Sequence, residues 1–418
     1  MIHRLDNPVR SSAWGSRTHI ARLTNRELGD VPAAEMWVGA HPSSPSRLSP
    51  PDGRRLDQVI AEAPDRCLGQ EVRRRMGDDL PYIMKLIAVS APLSLQVHPG
   101  ADGAKRGFEQ QEIDGIALDA RERSYRDPSH KPELLYALTG FEGMAGFREP
   151  VSTAELLRCL ALPWLDEVAD VLESAADAAK TLRDVVTTWL SLPADAARPL
   201  LAELRRVSMT AAERADGASG VHRPPGTDAS EAALEWLRVF PATVGLVDLY
   251  PDDPAVLVTL LLNHVVLAPG ESMFIDAGVI HAYTSGFGIE VMASSDNVIR
   301  AGLTPKHVNT AEWLDVARFT PQPPPRWVGT RDGSAVVLAP PVDEFELHVL
   351  EPEGRPVTMT HEAPRVVLCL QDKVELQADG ERLTLERGEA AFVEASSGAL
   401  IVSGHGRAAV AQTPARLR

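Results

Sequence analysis

Cysteine is scarce in this chain. Cys67, Cys159 and Cys369 are the whole complement among 418 residues, odd in number and far apart. That pattern argues against a disulfide scaffold or a cysteine-knuckle metal site, and it suits reduced thiols in a reducing compartment. Long apolar runs are missing too. The longest, near residues 255–267, is interrupted by Thr259, Asn263 and His264, and is too short and too polar to span a bilayer. The N-terminal Met-Ile-His-Arg-Leu-Asp-Asn-Pro has no apolar stretch of signal-peptide length. Together these absences predict a cytoplasmic protein. Positive charge is the third deficit: 42 Lys and Arg against 58 Asp and Glu leave a net charge of −16. A surface of that sign attracts neither nucleic acid nor anionic membrane, so neither is expected as a partner. A small anionic substrate is still allowed, provided a local cluster of cations receives it.

What is present reads as a globular protein of several domains, with 44% apolar and 24% charged residues. Up to about residue 150, short apolar runs are bounded by turn residues. Pro81-Tyr-Ile-Met-Lys-Leu-Ile-Ala-Val, Leu93-Ser-Leu-Gln-Val-His and Glu133-Leu-Leu-Tyr-Ala-Leu are of this kind, and they predict β-strands. The character changes near Pro150. Ser152-Thr-Ala-Glu155 has the form of a helix capping box. Beyond it Val168, Val171, Leu172, Ala175, Ala179 and Leu182 recur at helical steps. Residues 200–207 and 231–240 predict further helices, and the Gly, Pro and Ser of 215–230 a mobile loop. After Pro241 short strands return and continue to the C-terminus, with the proline-rich 321–325 as a stiff connector. Leu267-Ala-Pro-Gly-Glu-Ser-Met-Phe-Ile and Leu385-Glu-Arg-Gly-Glu-Ala-Ala-Phe-Val share a strand–turn–strand pattern. Two related β units are therefore expected, of which the second lacks the histidine that follows in the first.

Four segments carry groups suited to chemistry. Gln96 and His98 sit two apart in a strand-like run, so both project from one face. Read alone, they are as well explained as ordinary polar side chains. Asp127-Pro-Ser-His-Lys-Pro-Glu133 packs imidazole, ammonium and carboxylate within four residues, which an exposed turn also does. Gly270-Glu-Ser-Met-Phe-Ile-Asp-Ala-Gly-Val-Ile-His281 resembles the second metal motif of cupin barrels, with Asp276 where proline is usual. Residues 288–306 run from a strand into a stretch holding Glu290, Asp296, Asn297, Arg300 and Lys306, suited to proton transfer on a charged substrate.

Read together, the segments are specific. Leu93-Ser-Leu-Gln-Val-His-Pro, His130-Lys-Pro-Glu, His281-Ala-Tyr and Ala293-Ser-Ser-Asp-Asn-Val-Ile-Arg-Ala-Gly-Leu-Thr-Pro-Lys-His occur in the order found in type I mannose-6-phosphate isomerases. Ala13-Trp-Gly-Ser and Glu35-Met-Trp-Val-Gly-Ala-His-Pro-Ser are similar to that family's N-terminal signatures. The resemblance covers about residues 10–320 and is looser across the helical stretch and the C-terminal unit. It implies a mainly β fold of cupin-type jelly-roll barrels (a bicupin) with an α-helical insertion. The expected division is a catalytic cupin domain of 1–150 with 242–320, a helical insertion of 151–241, and a degenerate cupin-like β domain of 321–418.

It also implies an aldose–ketose isomerase acting on mannose 6-phosphate and fructose 6-phosphate; the alternatives are a non-catalytic sugar-binding bicupin and another metal-dependent cupin enzyme. By the resemblance Gln96, His98, Glu133 and His281 hold one Zn²⁺ per chain, a mixed N/O set that suits zinc. Arg300 matches the active-site arginine. Glu290, or His130 with Lys131, are the candidates for the proton shuttle, and Asp296 joins them as a catalytic candidate. Lys85 and Lys306 are expected to bind substrate, with Trp14 and Tyr283 as pocket walls. The departures are Gly100, where an acid is common, and Asp276; neither is a proposed ligand. A monomer with isomerase activity alone is expected.

Overall fold

The computed structural model describes residues 1–217 and 232–415. Strand Tyr82–Val89 shows how the fold is organised, because every residue in it is buried. A strand covered on both faces has no reason to alternate polar and apolar residues, hence the unbroken run in the sequence. Tyr82, Met84, Leu86 and Ala88 face one core, and Ile87 and Val89 another. Lys85 shares the second face.

The first β unit has two facing antiparallel sheets. One runs in the order Arg326–Trp327, Ser272–Ile275, Glu133–Ala137, His281–Ala293, Tyr82–Val89, Val9–Ser16 and Ala33–Val38. The other contains Leu262–Leu267, Phe141–Phe147, Leu95–Val97 and Ile299–Gly302, joined through the first residues of His281–Ala293. That long strand changes sheets near its middle. Up to Ser285 it pairs with Phe141–Phe147, and from Gly286 it pairs with Tyr82–Val89. Gly286 has φ +125°, and a Cβ there would lie 2.6 Å from Phe141 Cα, so the corner needs glycine.

The C-terminal unit repeats the plan. An eight-stranded sheet includes Glu346–Leu350, Arg407–Gln412, Arg365–Gln371 and Ala390–Val393, and a four-stranded sheet with Lys373–Ala378 closes over it. Both Gly-Glu segments that look alike in sequence are strand–turn–strand units, Leu262–Leu267 with Ser272–Ile275 and Glu381–Glu386 with Ala390–Val393. The fold is thus mainly β, of cupin type, with an α-helical insertion. The N-terminal strand Ile2–Asp6 pairs with Ala390–Val393, so the first residues lie in the C-terminal unit's sheet. The two β units share one core, in which Leu86, Ile289 and Val291 meet Leu347, Val366, Phe392 and Ala409.

The insertion comprises Pro150–Cys159, Pro163–Glu173, Ala178–Leu190, Ala194–Gly217, Ala232–Leu249 and Ala255–Thr259, extending past residue 241. Its apolar faces pack with Leu95, Val97, Ile280, Ile299 and Ala301, so the helices back the second sheet of the first β unit. The capping box at Ser152 does not form. The first helix begins two residues earlier, with Glu149 as N-cap and Pro150 in its first turn, where proline lacks only an N–H that has no partner anyway. The expected stripe from Val168 to Leu182 is split between two helices, and Val171 faces solvent. Of the segment 215–230, residues 215–217 continue a helix and the rest lies outside the described residues. Among the described residues no helix is long and apolar enough to cross a membrane.

Tyr82 is fully buried between the β units, its hydroxyl 2.8 Å from Pro364 O and 2.9 Å from Ala411 O. Tyr82→Phe leaves these carbonyls without that donor, and about 1–3 kcal/mol of stability should be lost. Urea unfolding monitored by circular dichroism checks this; an unchanged midpoint refutes the link.

Candidate metal centre and active site

Gln96 lies at the middle of a cross-strand row, paired with His281 on one side and Arg300 on the other. His98 follows on the same chain, and Glu133 opens the strand Glu133–Ala137 of the facing sheet. One nitrogen or oxygen from each of His98, Glu133 and His281 lies within 4.8 Å of the others, and all three residues are buried. His98 Nε2 is 3.1 Å from Glu133 Oε1, His281 Nε2 is 3.5 Å from Glu133 Oε2, and the Gln96 amide nitrogen is 3.1 Å from His281 Nε2.

The tautomers decide what this cluster is for. His98 Nδ1 donates to Asn297 O at 2.8 Å, and His281 Nδ1 donates to Val279 O at 3.0 Å. Both Nε2 atoms are therefore left as lone pairs aimed at a carboxylate, an arrangement that repels unless a cation lies between. His98 Nε2 is buried with no hydrogen-bond partner; its 3.1 Å approach to Glu133 is a close contact without a shared proton. Burial, then the charge of Lys131, push His98 down to about 4. Burial alone would raise Glu133, but the charge of Lys131 beside it holds it well below the usual carboxylate range. Neutral imidazoles and an ionised carboxylate are the forms in which these groups ligate metal. A half-turn of the Gln96 amide, whose two ends are isosteric, brings its oxygen to the same point. The residues fit a divalent cation.

A second row runs Trp37, Lys85, Glu290 across three strands. Lys85 Nζ is 3.5 Å from Glu35 Oε1, 3.7 Å from Glu290 Oε2 and 4.4 Å above the Trp37 ring. Burial would lower Lys85, but Glu35, Glu290, Glu133 and Asp296 outweigh it and raise it. Burial, then the neighbouring Glu133 charge, push Glu290 up to about 7 against the pull of Lys85 and Lys131. Lys131 Nζ is 2.8 Å from Glu133 Oε1, and the Tyr283 hydroxyl donates to Glu133 Oε2 at 3.4 Å.

Both rows open into one cleft of about 1100 Å³, whose walls include Trp14, Tyr283, Lys85, Lys131, Glu290, Asp296, Arg300 and Lys306. Arg10 and Arg126 also line it. Among the described residues none of Arg10, Arg126, Arg300 and Lys306 forms an ion pair. Burial, then the charge of Arg126, lower Arg300; burial, then the charge of Arg300, lower Lys306. His130 is placed differently from the other candidates. Its Nε2 contacts Glu344 Oε1 of the C-terminal unit at 2.6 Å, and it does not line the cleft. The direction of its ring leaves Lys131 and Glu290 as the shuttle candidates that face the cavity.

Sequence reading missed several supports. Glu35, Trp37 and His41 belong to a signature quoted only as a likeness, yet Glu35 and Trp37 flank Lys85, and His41 Nε2 is 3.8 Å from Asp296 Oδ2. The period-two spacing of Glu35 and Trp37 is the signal that could have placed them on Lys85's face. Asn297 is fully buried and ties two loops together. Its side chain donates to Asp127 O at 2.8 Å and Ser129 O at 2.9 Å and accepts from Arg126 N at 2.7 Å, while its carbonyl holds His98. Only the folded register could reveal that role.

Residues 2–150 match the family model for the catalytic domain of type I phosphomannose isomerase. The mannose-6-phosphate isomerase of Escherichia coli (strain K12) is 33% identical over 416 residues, 98% of each chain. The chain belongs to the type I mannose-6-phosphate isomerases. Mannose-6-phosphate isomerase 1 of Arabidopsis thaliana is 30% identical over 95% of this chain and 90% of its own. A crystal structure of the Salmonella typhimurium isomerase bound to fructose 6-phosphate and zinc is similar over 99% of both chains, with a TM-score of 0.84 and 31% identity.

The His130–Glu344 contact yields a pH-dependent expectation for this isomerase. The Glu344 hydrogen bond raises His130 despite partial burial; burial would raise Glu344, but His130 holds it below its ordinary value. A raised histidine stabilises below about pH 6.5 and loses its effect as pH rises through its folded pKa, whereas a lowered glutamate stabilises above about pH 4.5. A double-mutant cycle of His130→Ala and Glu344→Ala should show coupling of about 1 kcal/mol near pH 5.5 and almost none near pH 8.5. Equal coupling at both values overturns the assignment of an ionic contact.

Proposed function

We propose that the chain interconverts mannose 6-phosphate and fructose 6-phosphate, with one zinc ion held by Gln96, His98, Glu133 and His281. The observation that carries this reading is two imidazole lone pairs turned onto the ionised Glu133, in a cleft whose Arg300 and Lys306 form no ion pair among the described residues. When bound, the zinc supplies a Lewis acid near the sugar oxygens on which negative charge develops. The remaining work falls to side chains.

The difficult step removes a carbon-bound proton beside a carbonyl and leaves an enediolate. Glu290 is the shuttle we assign, taking the proton from one carbon and returning it to the next. Its raised pKa places it near neutrality, where a carboxylate both accepts and releases a proton. Lys85, seated between Glu35 and Glu290, orients that carboxylate, and Lys131 adds positive charge beside Glu133. Arg300, next to Gln96 in the cross-strand row, is placed to offset enediolate or phosphate charge, and Lys306 to receive the phosphate. Trp14 and Tyr283 wall the sugar site, with Asp296 at its polar edge. Every one of these residues comes from one chain, which supports activity as a monomer. Three cysteines, none in a disulfide, support a reducing, cytoplasmic setting.

The test is conversion of mannose 6-phosphate to fructose 6-phosphate, lost to a chelator and restored by zinc; absence of conversion by zinc-loaded protein rejects the reading and favours a non-catalytic sugar binder or another cupin chemistry. His98→Ala should lose bound zinc, measured by atomic emission, and full occupancy refutes its place as a ligand. Glu290→Gln should keep zinc but lower kcat by about 10²–10⁴-fold. Near-normal turnover in that variant passes the shuttle to Lys131. Arg300→Ala should also retain zinc while losing most turnover.

A further inference from the structure

The turn that carries Arg300 and Lys306 is held by a carboxylate from outside the catalytic β unit. Asp253 lies between the helices Ala232–Leu249 and Ala255–Thr259 of the insertion. Its Oδ2 accepts from Leu303 N at 2.6 Å, and its Oδ1 accepts from Ala255 N at 2.9 Å. Asp253 has no ion-pair partner among the described residues, so both oxygens are committed to backbone amides. A carboxylate accepting from an amide makes a short, charge-assisted bond.

The turn needs such a hold. Leu303 is buried yet adopts φ +58°, a left-handed conformation that is costly for a branched side chain and persists only where surroundings impose it. The preceding Gly302 lies so close to the insertion that a Cβ would fall 2.4 Å from Ala255 Cβ and 2.7 Å from Asp253 Oδ1. Further along, Arg121 donates to Pro305 O at 3.0 Å, and Asn309 N donates to Arg300 O at 3.2 Å. Those contacts secure the outer end and the root of the turn. Asp253 secures its bend, midway between Arg300 and Lys306.

We propose that Asp253 is a positioning residue through which the helical insertion sets where Arg300 and Lys306 meet the substrate's phosphate. The inference rests on the phosphosugar reading above. The insertion then has a part in catalysis beyond covering the second sheet: its Leu249 and Tyr250 line the same cleft, and its carboxylate sets the angle of the cationic turn. With Asp253 gone, Leu303 relaxes toward an ordinary φ, and the two cations shift relative to a metal site that Asp253 does not touch.

The experiment compares Asp253→Ala, Asp253→Asn and the control Asp252→Ala, whose carboxylate pairs with Arg198 on the surface at 3.0 Å. In Asp253→Ala the KM for mannose 6-phosphate and the inhibition constant of inorganic phosphate should both rise about tenfold, as expected when the displaced cations weaken one charge-assisted contact with the phosphate. The fall in kcat should be smaller than the rise in KM, and zinc content should match wild type. Asp253→Asn keeps one acceptor oxygen for Leu303 and should recover part of both constants; it also carries the test if Asp253→Ala fails to fold. Asp252→Ala should behave as wild type. Unchanged KM and phosphate inhibition in a folded Asp253 variant, with only a lower melting temperature, overturn the proposal and leave Asp253 a purely structural residue. Wild-type protein that does not isomerise mannose 6-phosphate instead overturns the functional reading. Inorganic phosphate affinity by titration calorimetry then still judges Asp253: weaker binding in the variant supports its role, and equal binding rejects it.

Discussion

The ionised carboxylate of Glu133, buried at the meeting of two sheets, is the group on which the rest of the site depends. Removing such a charge from water costs several kcal/mol unless partners replace the solvent. Lys131, Tyr283 and the two imidazoles surround it, but the imidazoles offer lone pairs instead of protons. One ammonium balances the carboxylate's charge but gives the His98 lone pair no partner. A divalent cation completes the arrangement, and the same incompleteness explains why His98 Nε2 is buried without a donor. The backbone carbonyls of Asn297 and Val279 therefore do more than hold two rings. By taking the Nδ1 protons they select the tautomer that can ligate.

That geometry is possible because the sheets around it are covered on both outer faces. The helices pack on one sheet and the C-terminal β unit on the other, leaving the interior between the sheets to carry charge. A strand such as Tyr82–Val89 then turns one face wholly to apolar packing and carries Lys85 among apolar residues on the other. The C-terminal β unit contributes no metal ligand among the described residues, yet it holds Tyr82 from behind and His130 from the side. Its part is to fix the frame within which sub-ångström placement of ligands is possible.

How much of this was legible in the sequence follows from the range of each interaction. Strands, turns and the repeated Gly-Glu unit are local patterns, and they were readable. Gln96 and His98 on one face follow from the period of a strand. Convergence with Glu133 and His281 does not follow from local chemistry, since 37 positions separate Gln96 from Glu133 and 148 separate Glu133 from His281; order and company supplied it through resemblance. The capping box at Ser152 misled because Pro150 is itself a favourable start two residues earlier. His130 looked like a base because its neighbours in sequence are catalytic in type. Its partner, Glu344, lies 214 residues away in the other β unit, beyond any local reading. Asn297 and Asp253 were opaque for the same reason: their side chains act on backbone groups that become neighbours only in the fold.

The net charge of −16 posed a problem for an anionic substrate, and the cleft resolves it by proximity. At physiological ionic strength charges are screened over about 8 Å, so acids scattered over the surface act weakly at the cleft. Arg10, Arg126, Arg300 and Lys306 act there directly, and no carboxylate pairs with them among the described residues. Arg126 and Arg300 repel, as do Arg300 and Lys306, and burial deprives them of water. Holding unpaired cations together is a cost that the free enzyme bears in its folded state. A dianionic phosphate relieves that repulsion on arrival, so part of its binding free energy is stored beforehand in the arrangement of the turn. The same cations would draw in acidic side chains if the turn could swing toward them. Its anchoring by the insertion is therefore as much a matter of keeping Arg300 and Lys306 free as of aiming them.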